Sequence, residues 1–135
     1  MNSEKGEGEN MPTEIKHFTD LKAWQKNHEL ALAIYQLTKK FPKDEMFSLT
    51  SQIRRAGVSI TSNIAEGFGR YYFKDKIRFY IMARGSSTEV QNQLILAKDL
   101  GYITSAEFNN IKVISFEGYR LICGIVAAME KAQNL

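Results

Sequence analysis

The stretch LTSQIRRAGVSITSNIAEGFGR, the 22 residues from Leu49 to Arg70, limits what this chain can fold into more than any other. Leu49, Ile53, Ala56, Ile60 and Ile64 recur at intervals of three and four, which stacks their side chains on one face of an α-helix. Gln52, Arg55, Ser59, Ser62 and Glu66 repeat at the same intervals on another face. A strand would need alternation at period two. The segment therefore predicts a helix with one face made for a core and a second, rich in small and polar side chains, made for some other contact.

The same spacing predicts three further helices. After Asp20, read as an N-cap, Leu21, Trp24, His28, Ala31, Tyr35 and Thr38 form one stripe and Leu30, Ile34, Leu37 and Phe41 a neighbouring one, up to Pro42. The helix of the opening segment is expected to begin near Asp44 and to end at Gly67 and Gly69. A basic and aromatic link, Arg70 to Phe73, leads to a third helix from about Lys74 to Leu100, with Gly101 as a left-handed cap. Thr104 and Glu107 have the spacing of a capping box for a fourth, continuing to about Gln133. Both prolines, Pro12 and Pro42, fall outside these interiors.

Four helices joined by short links predict an all-α, antiparallel up-down bundle over residues 18–135, with left-handed packing near about 20°. Residues 1–17, rich in Glu, Gly and Asn, are expected to form a disordered acidic tail. Gly57, Gly85, Gly118 and Gly124 lie inside predicted helices, where each costs about 1 kcal/mol relative to Ala. Close helix approach is the expected compensation. An apolar surplus in the first and fourth helices points to an oligomer.

Catalytic chemistry finds little support in the sequence. A di-metal carboxylate bundle needs paired Glu-x-x-His motifs. Glu14-x-x-His17 lies in the tail, and His28 has Gln25 where the glutamate should stand. His28 is therefore read as a hydrogen-bonded structural histidine on the core-facing stripe. Gly57-Val-Ser59-Ile-Thr61 fails the last position of a nucleophile elbow, and Gly67-Phe-Gly69-Arg70 lacks the Gly-Lys-Ser/Thr ending of a phosphate loop. The chain is read as non-enzymatic, without cofactor or metal. Cys123, the single cysteine, allows no intrachain disulfide and is read as an inert packed thiol, which fits a reducing compartment. No apolar run approaches the roughly 20 residues of a membrane span, and the first ten residues lack a signal-peptide centre, so a cytoplasmic protein without membrane contact is expected.

Charge is the positive signal. Of the 18 Lys and Arg, seven (Arg54, Arg55, Arg70, Lys74, Lys76, Arg78 and Arg84) fall between Met46 and Arg84 against only Glu66 and Asp75, enough to account for the whole basic excess beyond the tail. Such a cluster can be a solvated helix face or a polyanion surface. On the second reading Arg54, Arg55, Arg70, Lys74, Lys76 and Arg78 neutralise phosphates, while Tyr71, Tyr72 and Phe73 pack at the bundle end or stack on unpaired bases. No helix-turn-helix or RNA-binding sheet motif is present, so recognition would rest on charge and shape. Asn63, Glu66, Arg84 and Glu89 are read as an internal polar network that fixes helix register, with a ligand or partner surface as the other possibility.

QIRRAGVSITSNIAEGFGR closely resembles the signature of the four-helix-bundle proteins encoded in bacterial 23S ribosomal RNA intervening sequences. Phe18-Thr-Asp-Leu21, Trp24-Gln25, Tyr35, Phe41-Pro-Lys43 with Glu45, Arg78-Phe79, Ala83-Arg-Gly-Ser86 with Glu89, and Leu100-Gly-Tyr102 extend the resemblance over residues 18 to 130. It implies a left-handed four-helix bundle assembling as a homopentamer. The architecture is also similar to the accessory variability protein of diversity-generating retroelements, a basic pentameric barrel that binds nucleic acid and a reverse transcriptase. The partners implied are thus further copies of the chain, RNA or DNA, and, in a second reading as a protein-binding scaffold, a reverse transcriptase. Met46-Phe47 and the acidic tail depart from the family pattern, which leaves the surface details of this chain its own.

Overall fold

The computed structural model describes residues 14–133. Among these there are four α-helices and no strand: α1 (Lys22–Thr38), α2 (Leu49–Gly69), α3 (Phe73–Asp99) and α4 (Ser105–Gln133). Each helix packs on two others, α1 on α2 and α4, and α3 on α2 and α4, so the four close around one core. Residue pairings show how neighbours run. Arg54 meets Thr38 and Gly57 meets Ile34 between α1 and α2. Ser59 meets Ser86 and Gly67 meets Tyr80 between α2 and α3, and Asn27 meets Gly118 between α1 and α4. In the two pairs given for α1–α2 and in the two for α2–α3, numbers rise on one helix as they fall on the other.

The predicted core stripe of α2 is buried along its whole length, from Leu49 through Ile53, Ala56 and Ile60 to Ile64. It belongs to one buried cluster with Leu30 and Ile34 of α1, Val90 and Leu94 of α3, and Ile122 and Val126 of α4. Each such aliphatic side chain contributes about 1.5–3 kcal/mol on burial, so this seam dominates the fold's stability. On α1 the neighbouring stripe supplies the core. The stripe through His28 turns half outward, and His28 is exposed, stacked on Trp24 with ring centroids 4.6 Å apart and planes 10° from parallel. Asn27, one position earlier, is fully buried instead, and its Nδ2 donates to the Ala23 carbonyl at 2.8 Å and the Gly118 carbonyl at 3.2 Å.

Helix ends are set by local chemistry. Gly101 takes φ 81°, and the Gly101 and Tyr102 amides donate to the Lys98 and Ala97 carbonyls, closing α3 in a Schellman turn. The Thr104–Glu107 capping box forms in both directions, with the Thr104 amide donating to Glu107 at 2.8 Å and the Glu107 amide to the Thr104 hydroxyl at 3.0 Å. Two starts differ from expectation. Residues Lys43–Glu45 form a separate 3₁₀ turn, and α2 begins only at Leu49, whose amide donates to the Glu45 carboxylate at 3.2 Å. Asp20 does not cap α1. It accepts from the Lys16 and His17 amides and so holds a 3₁₀ turn at Phe18–Asp20. Most of the expected tail, residues 1–13, lies outside the described residues, while His17 takes part in this turn.

The helix glycines divide. A Cβ on Gly57 would stand 2.8 Å from Ile34, and one on Gly118 would strike the Asn27 carboxamide, so both mark close helix approach. Gly85 and Gly124 have open space on the Cβ side, and close packing does not explain them. No described helix is long and apolar enough to cross a membrane.

Candidate nucleic-acid interface

The six basic residues proposed to meet phosphates do not form one patch. Arg55 and Arg70 are fifteen residues apart on one helix, about 22 Å at 1.5 Å per residue. Arg54 and Arg55 lie in the first half of α2, beside an open groove of about 510 Å³ that also touches Tyr35, Met46 and Val58. Arg70, Lys74, Lys76 and Arg78 gather at the other end, where α2 passes into α3.

Two of the six are tied into the fold. The Arg54 Nε donates to the Thr38 hydroxyl at 2.8 Å and its guanidinium lies 4.7 Å from the Tyr35 ring centre, fastening α2 to α1. Thr38 in turn donates to the Ile34 carbonyl, so its hydroxyl is used on both sides. Lys76 reaches back from α3 to the last turn of α2, where its Nζ donates to the Phe68 carbonyl at 2.7 Å. A cation there satisfies carbonyls that have no helical partner and complements the helix dipole. Gly67 allows this closure, since a Cβ would stand 2.8 Å from the Tyr80 ring and 3.1 Å from the Lys76 carbonyl.

The remaining residues of the turn face outward. Arg70 pairs with Glu66 at 2.7 Å and lies 4.7 Å from the Phe79 ring centre, and Arg78 covers the same ring at 4.6 Å. The two guanidinium groups thus share one aromatic ring, which holds both charges near the surface without burying either. Lys74 is exposed beside them. Between α2 and α3, Tyr71 and Tyr72 are 87% and 67% exposed, their rings edge-to-face at 5.0 Å. Both rings are thus open to solvent beside the exposed cations Arg70, Lys74 and Arg78. Phe73, grouped with them in the sequence, is half-buried at the start of α3.

The four residues read as an internal network are not joined to one another. Asn63 donates to the Ser59 carbonyl at 2.9 Å and hydroxyl at 3.1 Å, and the Ser59 hydroxyl meets that of Ser86 on α3 at 2.9 Å. Glu66 is taken by Arg70, and Glu89 accepts from Gln93 on its own helix at 3.2 Å. Arg84 is half-buried and makes no hydrogen bond to the other three. Both carboxylates face solvent, because helical spacing carries them off the seam that Asn63 borders. The polar bridge between α2 and α3 is instead Asn63–Ser59–Ser86. Its sequence signal is the i,i+4 pair Ser59 and Asn63 facing the serines after Gly85.

A second polar tie escaped the sequence. The Tyr102 hydroxyl donates to Glu45 at 2.6 Å and draws the α1–α2 and α3–α4 links together. That bond, first, and the Leu49 amide hold the Glu45 carboxyl below its usual range, and the same bond raises the Tyr102 phenol. Lys40, followed by the Thr104 amide, lowers Glu107 in the same way.

Comparison with known proteins places these features in context. The family model described as 23S rRNA-intervening sequence protein matches residues 19–124. A solved structure from Bacteroides thetaiotaomicron, described as a protein with unknown function from the S23 ribosomal protein family, has 28% sequence identity and a TM-score of 0.72. The match covers 78% of this chain and 95% of that one. No curated protein matches significantly.

Proposed function

Starting from the chain's membership of the 23S rRNA-intervening sequence protein family, we propose a non-enzymatic, oligomeric four-helix-bundle protein that binds structured RNA or DNA through the α2–α3 turn. The observation that carries this reading is the pair of exposed rings, Tyr71 and Tyr72, set among Arg70, Lys74 and Arg78. The cations would neutralise phosphates with release of counterions, and the rings would stack on bases left unpaired in a loop or bulge. In these roles cations and rings act on groups common to every sequence, phosphates and base faces, so the arrangement favours structure over sequence. Further elements of the proposal are an antiparallel, left-handed up-down bundle, a homopentamer that repeats the turn around one axis and so gains avidity, and a place in the cytoplasm.

A second reading, a protein-binding scaffold such as an accessory subunit of a retroelement reverse transcriptase, draws on the exposed apolar residues Leu32, Phe47, Val113 and Phe116. Charge reversal separates the two. Changing Arg70 and Lys74 to Glu should weaken binding to all nucleic acids alike and flatten its salt dependence, by about one unit of slope for each phosphate no longer neutralised. Tyr71→Ala with Tyr72→Ala should weaken binding to looped RNA or single-stranded DNA, by about 1–3 kcal/mol per stacked base, and leave duplex binding nearly unchanged. Unaltered affinity in an intact oligomer would remove the turn from the site. Lys76 is unsuitable for this test, because its ammonium group caps α2.

A further inference from the structure

The turn before α1 lies beside the basic end of α2. The Asp20 carboxylate accepts from the Lys16 and His17 amides at 3.0 and 2.9 Å, which pins the entry to the Phe18–Asp20 turn. Phe18 lines an open groove of about 480 Å³ together with Ala65, Glu66, Gly69 and Arg70 of the last turns of α2. Arg70 shares the Phe79 ring with Arg78, and Lys74 is exposed beside them. Glu14 stands four residues before Phe18, at most about 14 Å from it, so residues 1–13 are tethered next to these cations.

The charges are complementary. Residues 1–13 hold Glu4, Glu7 and Glu9 against Lys5, a side-chain charge of −2. Around the turn Arg70, Lys74, Lys76 and Arg78 stand against Glu66 and Asp75, which leaves +2. Glu66 and Asp75 pair with Arg70 and Arg78 at 2.7 and 3.9 Å, but all four side chains are at least 41% exposed. Ion pairs so open to water are weak, and they leave both guanidinium groups accessible to further anions. Thirteen residues reach at most about 45 Å when fully extended, well beyond the turn. Arg55 lies about 22 Å back along α2, so the tethered carboxylates are most concentrated at Arg70, Lys74 and Arg78.

We propose that Glu4, Glu7 and Glu9 dock on Arg70, Lys74 and Arg78 of the same chain and compete there with nucleic acid. The inference rests on the nucleic-acid reading above and gives that site an internal competitor. A short tether supplies an effective concentration on the order of millimolar, so weak ion pairs suffice to hold the segment. Its carboxylates stand in for phosphates. Every nucleic acid loses the same factor to the competitor: ligands held by phosphates alone fall below useful affinity first, and those that also stack on Tyr71 and Tyr72 still bind.

The test compares the full chain with a variant carrying Glu4→Gln, Glu7→Gln and Glu9→Gln, by titration with looped RNA and duplex DNA at about 50 and 200 mM salt. The variant should bind both ligands about five- to thirtyfold more tightly at the lower salt, the range that three exposed ion pairs supply, and the gain should shrink at the higher. Contact is read separately, without nucleic acid, by zero-length carbodiimide coupling and peptide mass spectrometry at the lower salt. Coupling should join Lys74 to a glutamate of residues 1–13 within one 15.4 kDa chain, and looped RNA should suppress it. Equal affinity of wild type and variant, or no coupling of Lys74 within one chain, would overturn the contact, while wild-type binding would leave the nucleic-acid reading standing. Coupling at Lys74 with no nucleic acid bound by either protein would instead overturn that reading, and the competition with it.

Discussion

Glycines with the same propensity cost have different environments, and the difference fixes opposite expectations for the same substitution. At Gly118 an alanine would press its methyl group into the Asn27 carboxamide and disturb the bonds that this amide donates to the Ala23 and Gly118 carbonyls. Gly118→Ala should therefore destabilise by about 1–3 kcal/mol in urea unfolding, the usual cost of forcing extra atoms into a packed site. Gly124→Ala meets open space and should stabilise by about 0.5–1 kcal/mol, since alanine is the better helix former. Equal effects at the two sites would show that the α1–α4 contact is looser than described. Arg54 gives the matching contrast among the cations. Arg54→Met removes the bond to Thr38 and the cation over the Tyr35 ring, so it should lower the unfolding midpoint while leaving nucleic-acid affinity unchanged. Composition and spacing could not separate Arg54 from Arg55, because neighbouring residues on a helix differ by about 100° in direction and only the position of α1 decides which one it covers.

At the scale of elements, helix interiors were legible and helix junctions were only partly so. The α2 seam, the Gly101 turn and the Thr104–Glu107 box follow from periodicity and capping chemistry, which are local. The late start of α2 was not legible: the Glu45 carboxylate that takes the Leu49 amide there is also bonded to Tyr102, 57 residues away. His28 was misplaced for a related reason: α1 carries two adjacent apolar stripes, and the sequence does not say which one the other helices cover. The aromatic and basic turn was readable as a cluster of residue types, but its division into structural Lys76, shielded Phe73 and exposed Tyr71 and Tyr72 required the packed ends of α2 and α3. The junctions also set the response to acid. Glu45, Glu107 and Asp20 all have carboxyls lowered by bonds made only in the folded state. Depressed carboxyl pKa values contribute stability above the unfolded-state range and lose it as pH falls through the folded values. Thermal midpoints should thus drop as pH is taken below about 4, and Glu107→Gln should be less stable than wild type at pH 7 yet lose less on acidification. A pH-independent difference between the two would mean that the Lys40 and Thr104 contacts do not persist in solution.

For the whole molecule, the basic residues are spread along α2 and the start of α3 rather than gathered into one surface. At one end Glu45 and Tyr102 join the two links. The opposite end, the α2–α3 turn, presents Arg70, Lys74, Arg78 and two tyrosine rings. Lys74 is exposed at that end, so Lys74→Glu should weaken nucleic-acid binding without changing the particle mass. The decisive experiment is a titration of the purified oligomer with looped RNA, single-stranded DNA and duplex DNA at about 50 and 200 mM salt, where phosphate-driven affinity falls steeply. Binding should be salt-sensitive and stronger for the unpaired ligands. Changing Tyr71 and Tyr72 should remove the preference for unpaired bases, and changing Arg70 and Lys74 as well should remove the binding that remains. No binding at the lower salt, with the oligomer intact, would refute a nucleic-acid interface at the α2–α3 turn and leave that turn a solvated surface.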